Sequence, residues 1–501
     1  MFRFIRKGVA KLNSVLNKPK EQSPNNIKYL EYEINRWKSS NIRKMQIIGE
    51  EYYDDTHDIL KRERTAIGED GELIEVENLP NNKVMDNQYS KLVDQKVNYL
   101  FGKPFTYETD SETYTKLLKV VFNKKFLRMF KNLAEDSLNG GLGWLHPYYN
   151  DIGELSFKRF EAREILPFWK DSEHTELDFA IRLYETEEFT GSGKEIVEKV
   201  EVYTTNGVKR YELRNNCLIP DRMNPHSFYI AVEDTVNGTS EEVNWNKVPL
   251  IAFKYNNNET PLIKRVKSLQ DGINIMLSDF ENNMQEDSRN TIMVIVNYDG
   301  EDLGEFRQNL STYGAVKIKT VDGAAGDVKT LEVKVNAENY KAILELFKKA
   351  IIENGRGYDA KSDRMQNNPN QMNIQSMYSD IDLDANGMET EFQASFEDLL
   401  WFINVHFANT GEEDFFNEEV NIIFNRDILI NESESIENCQ KSDGIISRET
   451  IVTEHPWVKD VQTELDRIEN EERDNLEDEL NRIPKDIDDL NKHLGSGQDG
   501  E

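Results

Sequence analysis

The 501 residues carry 93 Asp and Glu against 61 Lys and Arg, a formal net charge of −32, which argues against a protein built to grip nucleic acid through its phosphates. Only 38% of residues are apolar, yet 24 Phe, 20 Tyr and 6 Trp supply core material; global disorder is excluded, and the length predicts about three domains. Cys217 and Cys439 are the only cysteines, so no disulfide framework or Cys-based zinc site is encoded, which fits a reducing compartment. No apolar run approaches the ~20 residues of a membrane span.

Residues 1–25 open with MFRFIRKGVAKLNSVLNKPK, basic and faintly amphipathic, without the apolar core or cleavage site of a secretory signal. They read as a mobile or interface arm, with membrane contact the lesser reading. Residues 26–258 read as a mixed α/β (α+β) body, helices first and strands after. Its helices are predicted over Asn26–Asp55, Asp86–Leu100 (stopped by Gly102 and Pro104), Glu112–Phe122 and Leu127–Leu138. Beyond Gly140 the period changes to two, and strands are predicted at Leu142–Tyr149, Leu155–Phe160, Phe179–Tyr184, Lys199–Thr205, Val208–Leu213 and Val248–Tyr255.

Residues 259–289 predict a long helix, roughly 40 Å from Pro261, with Leu262, Val266, Leu269, Ile273, Met276 and Phe280 on one narrow stripe. A second helix, 336–354, repeats the stripe with Tyr340, Leu344, Phe347 and Ile351, and carries Lys341, Lys348 and Lys349 on its other face. Between them, 290–335 predicts a βαββ insert: strands at Thr291–Tyr298, Ala315–Thr320 and Val328–Val335 with a short helix around Glu301–Leu310. Two antiparallel helices cannot bury both sides of themselves, so this stalk asks for neighbouring copies.

The polar segment 355–375, GRGYDAKSDRMQNNPNQMNIQ, follows, and two readings stay open for it: a flexible connector or a functional loop. A third helix is predicted over 376–410, roughly 50 Å long and striped by Met377, Ile381, Ala385, Met388, Phe392, Phe396, Leu399, Ile403 and Phe407. Residues 411–431 contain a strand, Glu419–Phe424, that returns to the body. Residues 432–480 predict further helices, started at Ser447 and broken at Pro456, and 481–501 a disordered acidic tail.

No catalytic constellation emerges. The seven histidines show no metal-ligand spacing, no GxxxxGK[ST] loop exists, and Gly140-Gly141-Leu142-Gly143 is a helix stop rather than a dinucleotide fingerprint. Asp380, Asp382, Asp384 and Glu391 have the spacing of a calcium loop, but Ala385 stands where its glycine belongs and the apolar stripe demands a helix. No metal, cofactor or catalytic residue is expected.

Several stretches carry a resemblance. They are Tyr52-Tyr53 with His57, LPNNKVMDNQYSKLVDQKVNYLFGKP (79–104), GGLGWLHPYYNDIGELSFKRF (140–160), KVPLIAFKYNNNE running into PLIKRVKSLQDGINIMLSDFENNMQE (247–286), and GIISRETI (444–451). In order and spacing the chain resembles the portal proteins of tailed bacteriophages, the long-tailed branch of Gram-positive hosts. That resemblance implies a portal fold: a wing body, a two-helix stem (259–289 and 336–354) carrying a clip (290–335), a tunnel loop (355–375), a spine helix (376–410) and a helical crown (432–480). It also implies a ring of twelve subunits at one capsid vertex, assembled in the host cytoplasm with major capsid and scaffolding proteins, through which double-stranded DNA enters and leaves without sequence specificity. The implied partners at the clip are the terminase large subunit and a head–tail adaptor; no membrane is involved.

Within that frame Lys361, Arg364, Asn367, Asn368 and Gln371, with Lys341, Lys348 and Lys349, are the expected channel contacts. Asp299, Gly300, Glu301, Asp302, Asp322 and Gly323 are the expected partner contacts of the clip. The alternatives are another capsid or scaffold component without a channel, and a metal-dependent nuclease.

Overall fold

The computed structural model describes residues 22–482 apart from 68–70, 76–79, 190, 192, 235–238, 288–291, 297–301, 303, 307, 309–311, 313–317, 321–326, 332–336, 360–370, 427–431 and 459–460. The chain divides into two units, Met1–Asp359 with Asp380–Asp427, and Ala360–Ser379 with Ile428–Glu501.

The helix expected over Asn26–Asp55 is two, α1 (Ile27–Lys38) and α2 (Asn41–Tyr53). They separate at Ser39-Ser40, where the Ser40 hydroxyl accepts the Arg43 N–H at 3.2 Å and starts a new helix. Next come α3 (Gln88–Phe101), α4 (Glu112–Val121) and α5 (Lys124–Gly140), each begun by an N-capping side chain: Asn87, Ser111 and Asn123. Helix α5 ends at Gly141, with φ 83°, and a Cβ there would lie 2.2 Å from the Glu259 carbonyl oxygen. Only glycine fits that turn.

The strand Leu142–Tyr149 pairs antiparallel with Leu155–Phe160 on one side and Ile251–Lys254 on the other. A second sheet is a meander of Ile165–Trp169, Leu177–Phe189, Lys194–Thr204, Gly207–Arg214 and Cys217–Pro220, each strand antiparallel to the next. Side-chain alternation gives it two faces. Phe179, Ile181, Val200 and Val202 meet Leu30 and Ile34 of α1, while Ala180, Tyr203 and Val208 meet Trp144, Phe160 and Leu250.

Helix α6 (Ile263–Asp287) leads to the insert, where Ile292–Val296 pairs antiparallel with Asp327–Leu331. Half of the expected middle strand, Ala315–Thr320, lies outside the described residues; of the rest, Ile318 forms an isolated β-bridge and Lys319 and Thr320 are not in a strand. Helix α7 (Ala337–Asn354) leads back, and α8 (Gln371–Thr410) is the longest element. The latter begins five residues before the predicted Ser376, because Gln and Met in QMNIQ are good helix formers despite their loop-like polarity. Asn421–Ile423 returns to pair with Thr106–Glu108. Phe101, Phe105, Phe130, Phe253, Phe392, Phe396 and Phe424 form one aromatic core between α3, α5 and α8, with centroids 5.0 Å apart for Phe101–Phe392 and 5.2 Å for Phe105–Phe396.

In the second unit α9 (Glu432–Ser442) precedes α10 (Arg448–Glu454), capped by Ser447, and α11 (Val461–Arg482). The two residues that open the expected tail, 481 and 482, are therefore helical; 483–501 lie outside the described residues.

Candidate functional site

Helices α6 and α7 lie antiparallel. Phe280 faces Tyr340 with centroids 5.1 Å apart, while nearer the other end the Phe347 ring occupies the place of a Cβ on Gly272, 2.7 Å away. A glycine inside a helix costs about 1 kcal/mol relative to alanine; here it lets an aromatic ring approach the α6 backbone. Of the predicted stripe, Leu262, Val266, Ile273 and Ile351 are buried, whereas Leu269, Met276, Phe280, Tyr340, Leu344 and Phe347 remain half-buried. Further apolar side chains stand exposed on the pair: Ile275, Met284, Ile343 and, at 63% exposure, Leu346.

The most buried side chains of α6 include a polar row. Gln270, Asn274 and Ser278 are 0% exposed and Asn282 is 2% exposed, one every helical turn. They lace the helix to residues 82–88, an extended strap that runs into the first residue of α3. Gln270 Oε1 accepts from the Gln88 N–H at 2.9 Å, Asn274 Oδ1 from Asp86 at 3.1 Å, Ser278 Oγ from Val84 at 2.9 Å and Asn282 Oδ1 from Asn82 at 2.8 Å. The match is geometric: four helical residues rise about 6.0 Å and two extended residues about 6.7 Å, so every second strap N–H meets every fourth α6 side chain. Each bond contributes about 1 kcal/mol, but an orphaned buried donor costs about 1–3 kcal/mol.

His57 closes this ladder. Its Nε2 donates to the Tyr52 carbonyl at 2.9 Å, and its Nδ1 accepts from the Asn274 amide at 2.8 Å, since Asn274 Oδ1 is taken by Asp86. The ring is buried, stacks on Tyr52 at 4.3 Å and is held neutral, burial moving its pKa below the ordinary histidine value. Tyr52 in turn donates to Asp271, which with Asp58 holds Lys267 at 2.8 and 2.6 Å.

A second cluster sits where the polar loop begins. Asp384 of α8 is buried and takes Lys96 Nζ at 2.7 Å, the Tyr255 hydroxyl at 2.6 Å and Arg265 at 2.9 Å. Burial alone would raise its pKa; Lys96, Tyr255 and Arg265 outweigh that and hold the carboxyl below its ordinary value. Burial pushes Lys96 down to about 8 against the pull of Asp384. Lys96 also donates to the Arg356 carbonyl at 2.9 Å, and Gln95 brackets Tyr358, donating to its carbonyl at 2.7 Å and accepting its N–H at 3.0 Å. Arg356 adopts a left-handed φ of 54° between Gly355 and Gly357, whose absent Cβ atoms leave room for Leu92. Helix α3 thus fixes the entrance of the loop. Asp382 is bound by Arg426 at 2.7 Å and by Tyr99, so two of the four carboxylates with calcium-loop spacing, Asp382 and Asp384, are engaged by cations and tyrosine hydroxyls.

Two helices carrying an inserted strand pair, a loop rooted on α3 and a long following helix form the arrangement to which the resemblance gave an identity. The family model described as "Phage portal protein, SPP1 Gp6-like" matches residues 32–478. The chain belongs to this family. It is 27% identical to the portal protein of Bacillus phage SPP1 over 430 residues, 84% of this chain and 82% of that one. It is 28% identical to the portal protein of Clostridium phage phiCD119 over 434 residues, 84% of this chain and 91% of that one. As a phage portal protein it is a structural, non-enzymatic component of the capsid and of the head–tail connection. Among the described residues no helix is long and apolar enough to cross a membrane.

Of the residues singled out for this role, Lys361, Arg364, Asn367 and Asn368 lie outside the described residues, as do Asp299, Gly300, Glu301, Asp322 and Gly323. Gln371 is the first residue of α8. Asp302 Oδ1 accepts the Glu305 N–H at 2.7 Å and so caps the short helical turn at 304–306. On α7, Lys348 is paired with Asp86 at 2.6 Å, while Lys341 and Lys349 are exposed and lie 3.9 and 3.8 Å from Glu345 and Glu353. The polar ladder and the Asp384 cluster went unread in the sequence; the four-residue spacing of Gln270, Asn274, Ser278 and Asn282 was the available signal.

Proposed function

We propose that this portal protein assembles into a ring, twelve subunits in the capsid, at a single vertex, with α6 and α7 as the stem that packs against the stems of neighbouring copies. The observation that carries the reading is the half-buried stripe of Leu269, Met276, Phe280 and Leu344 together with exposed Ile343 and Leu346. Burying one such side chain contributes about 1.5–3 kcal/mol, and a closed ring repeats the contact at every interface.

In this reading 290–335 is the clip, 355–375 the tunnel loop, 376–410 the spine, 411–431 the return strand and 432–480 the crown. Double-stranded DNA moves through the central channel on packaging and ejection, past Lys361, Arg364, Asn367, Asn368 and Gln371 and past the cations of α7. The net charge of −32 supports a conduit that does not hold its cargo. The clip, with Asp299, Gly300, Glu301, Asp302, Asp322 and Gly323, receives first the terminase large subunit and then a head–tail adaptor. Assembly takes place in the host cytoplasm with capsid and scaffolding proteins.

Electron microscopy of the purified protein tests this. Class averages showing rings with a central hole wide enough for duplex DNA are expected, and a monodisperse monomer across salt conditions would contradict it.

A further inference from the structure

The body holds a cleft of about 470 Å³ between the turn at 170–176 and the α8 segment 391–402, within the roughly 300–1,000 Å³ of binding pockets. Its apolar walls include Trp169, Leu177, Leu250 and Phe402. The Trp169 ring stacks on His174 at 5.0 Å, and its indole N–H is buried without an acceptor among the described residues. The rim is acidic. Glu176 and Asp398 are paired with Lys170 and, at 2.6 Å, Lys247; Glu173, Glu391 and Glu397 have no cationic partner among the described residues.

An apolar cleft with unpaired carboxylates fits a segment that is both apolar and basic. In this acidic chain one such stretch is the first 20 residues, where Phe2, Phe4, Ile5, Val9 and Leu12 alternate with Arg3, Arg6, Lys7 and Lys11 and no acid occurs. The reach is sufficient. Asn25 Oδ1 accepts from Lys209 Nζ at 2.6 Å, and Lys209 lies two strand residues, about 7 Å, from the turn at Gly207 whose Thr205 lines the cleft. Twenty residues of extended chain span up to about 70 Å.

We propose that residues 1–20 dock into this cleft of their own chain, the apolar side chains against Trp169 and Leu250 and the cations against Glu173, Glu391 and Glu397. The basic arm is then an internal strap that neutralises the cleft, with no role in holding DNA. The inference concerns one chain and stands apart from the ring and its channel.

The test is carbodiimide coupling of lysines to carboxylates in the full-length protein, read by mass spectrometry on a mixture of ¹⁴N- and ¹⁵N-labelled protein. Links from Lys7 or Lys11 to Glu391 or Glu397, within chains of one isotope, are expected. They should fall about fivefold in a Glu173→Lys variant, which keeps the coupled carboxylates, and comparably in an Arg3→Glu, Arg6→Glu variant, whose changes touch none of the described contacts. Excess duplex DNA should leave them intact. Links to other acids only, unchanged yields in both variants, or links between isotopes would overturn the proposal; loss of the links to added DNA would assign the arm to DNA instead.

Discussion

The two sides of the α6–α7 pair invert the usual arrangement. Toward the strap, α6 buries amides and a hydroxyl, each matched to a backbone N–H, with His57 closing the row. Away from it, Ile343 and Leu346 of α7 stand in solvent. A polar interface costs little once every donor is paired, and it fixes register; an apolar one holds whatever shape fits. The first therefore sets how the helix pair leaves its own subunit, and the second is the face we propose packs against another copy.

Four perturbations break or sharpen that contrast. The largest acts at the loop entrance: Asp384→Ala strands Lys96 and Arg265 without their carboxylate and should cost about 3–5 kcal/mol in urea unfolding. Asn274→Ala orphans the Asp86 N–H and unseats His57, so a loss of about 2–3 kcal/mol is expected, where Leu346→Ser should leave subunit stability nearly unchanged.

The third concerns pH. His146 donates from Nδ1 to the Pro249 carbonyl at 2.6 Å beside Phe160 and Tyr203, and burial pushes it down to about 4. Its folded pKa lies below the unfolded value, so the unfolded chain binds the proton first. The stability this neutral ring contributes is complete above about 6.5 and declines as the pH falls toward 4. Comparing wild type with His146→Gln isolates the effect from carboxylates that shift the other way: the difference between them should change by about 2 kcal/mol from pH 7 to 5. The smallest is Lys341→Ala with Lys349→Ala, whose exposed pairs should move the thermal midpoint by no more than about 0.5 kcal/mol is worth.

Much of this architecture was legible in the chain. The α6 and α7 stripes and the change to period two after Gly140 each left a local mark. What stayed hidden depends on distance. Asp384 meets Lys96 across 288 residues, and no periodicity marks one helical carboxylate among so many acids. The ladder was hidden for a different reason: Gln, Asn and Ser on a helix read as a solvated face, and only an extended partner with N–H groups at the matching repeat reveals them as interior. The break at Ser39-Ser40 turned on a capping hydroxyl inside a helical pattern, where Ser is otherwise tolerated.

We propose that other copies complete the exposed α7 face and the half-buried stripe. Native mass spectrometry of the full-length protein beside Leu346→Asp, with circular dichroism on both, tests it most directly. A closed oligomer is expected for the wild type, and folded, smaller species with an unchanged spectrum for the variant. A wild type that remains monomeric, or a variant that still closes into the same ring, would contradict it.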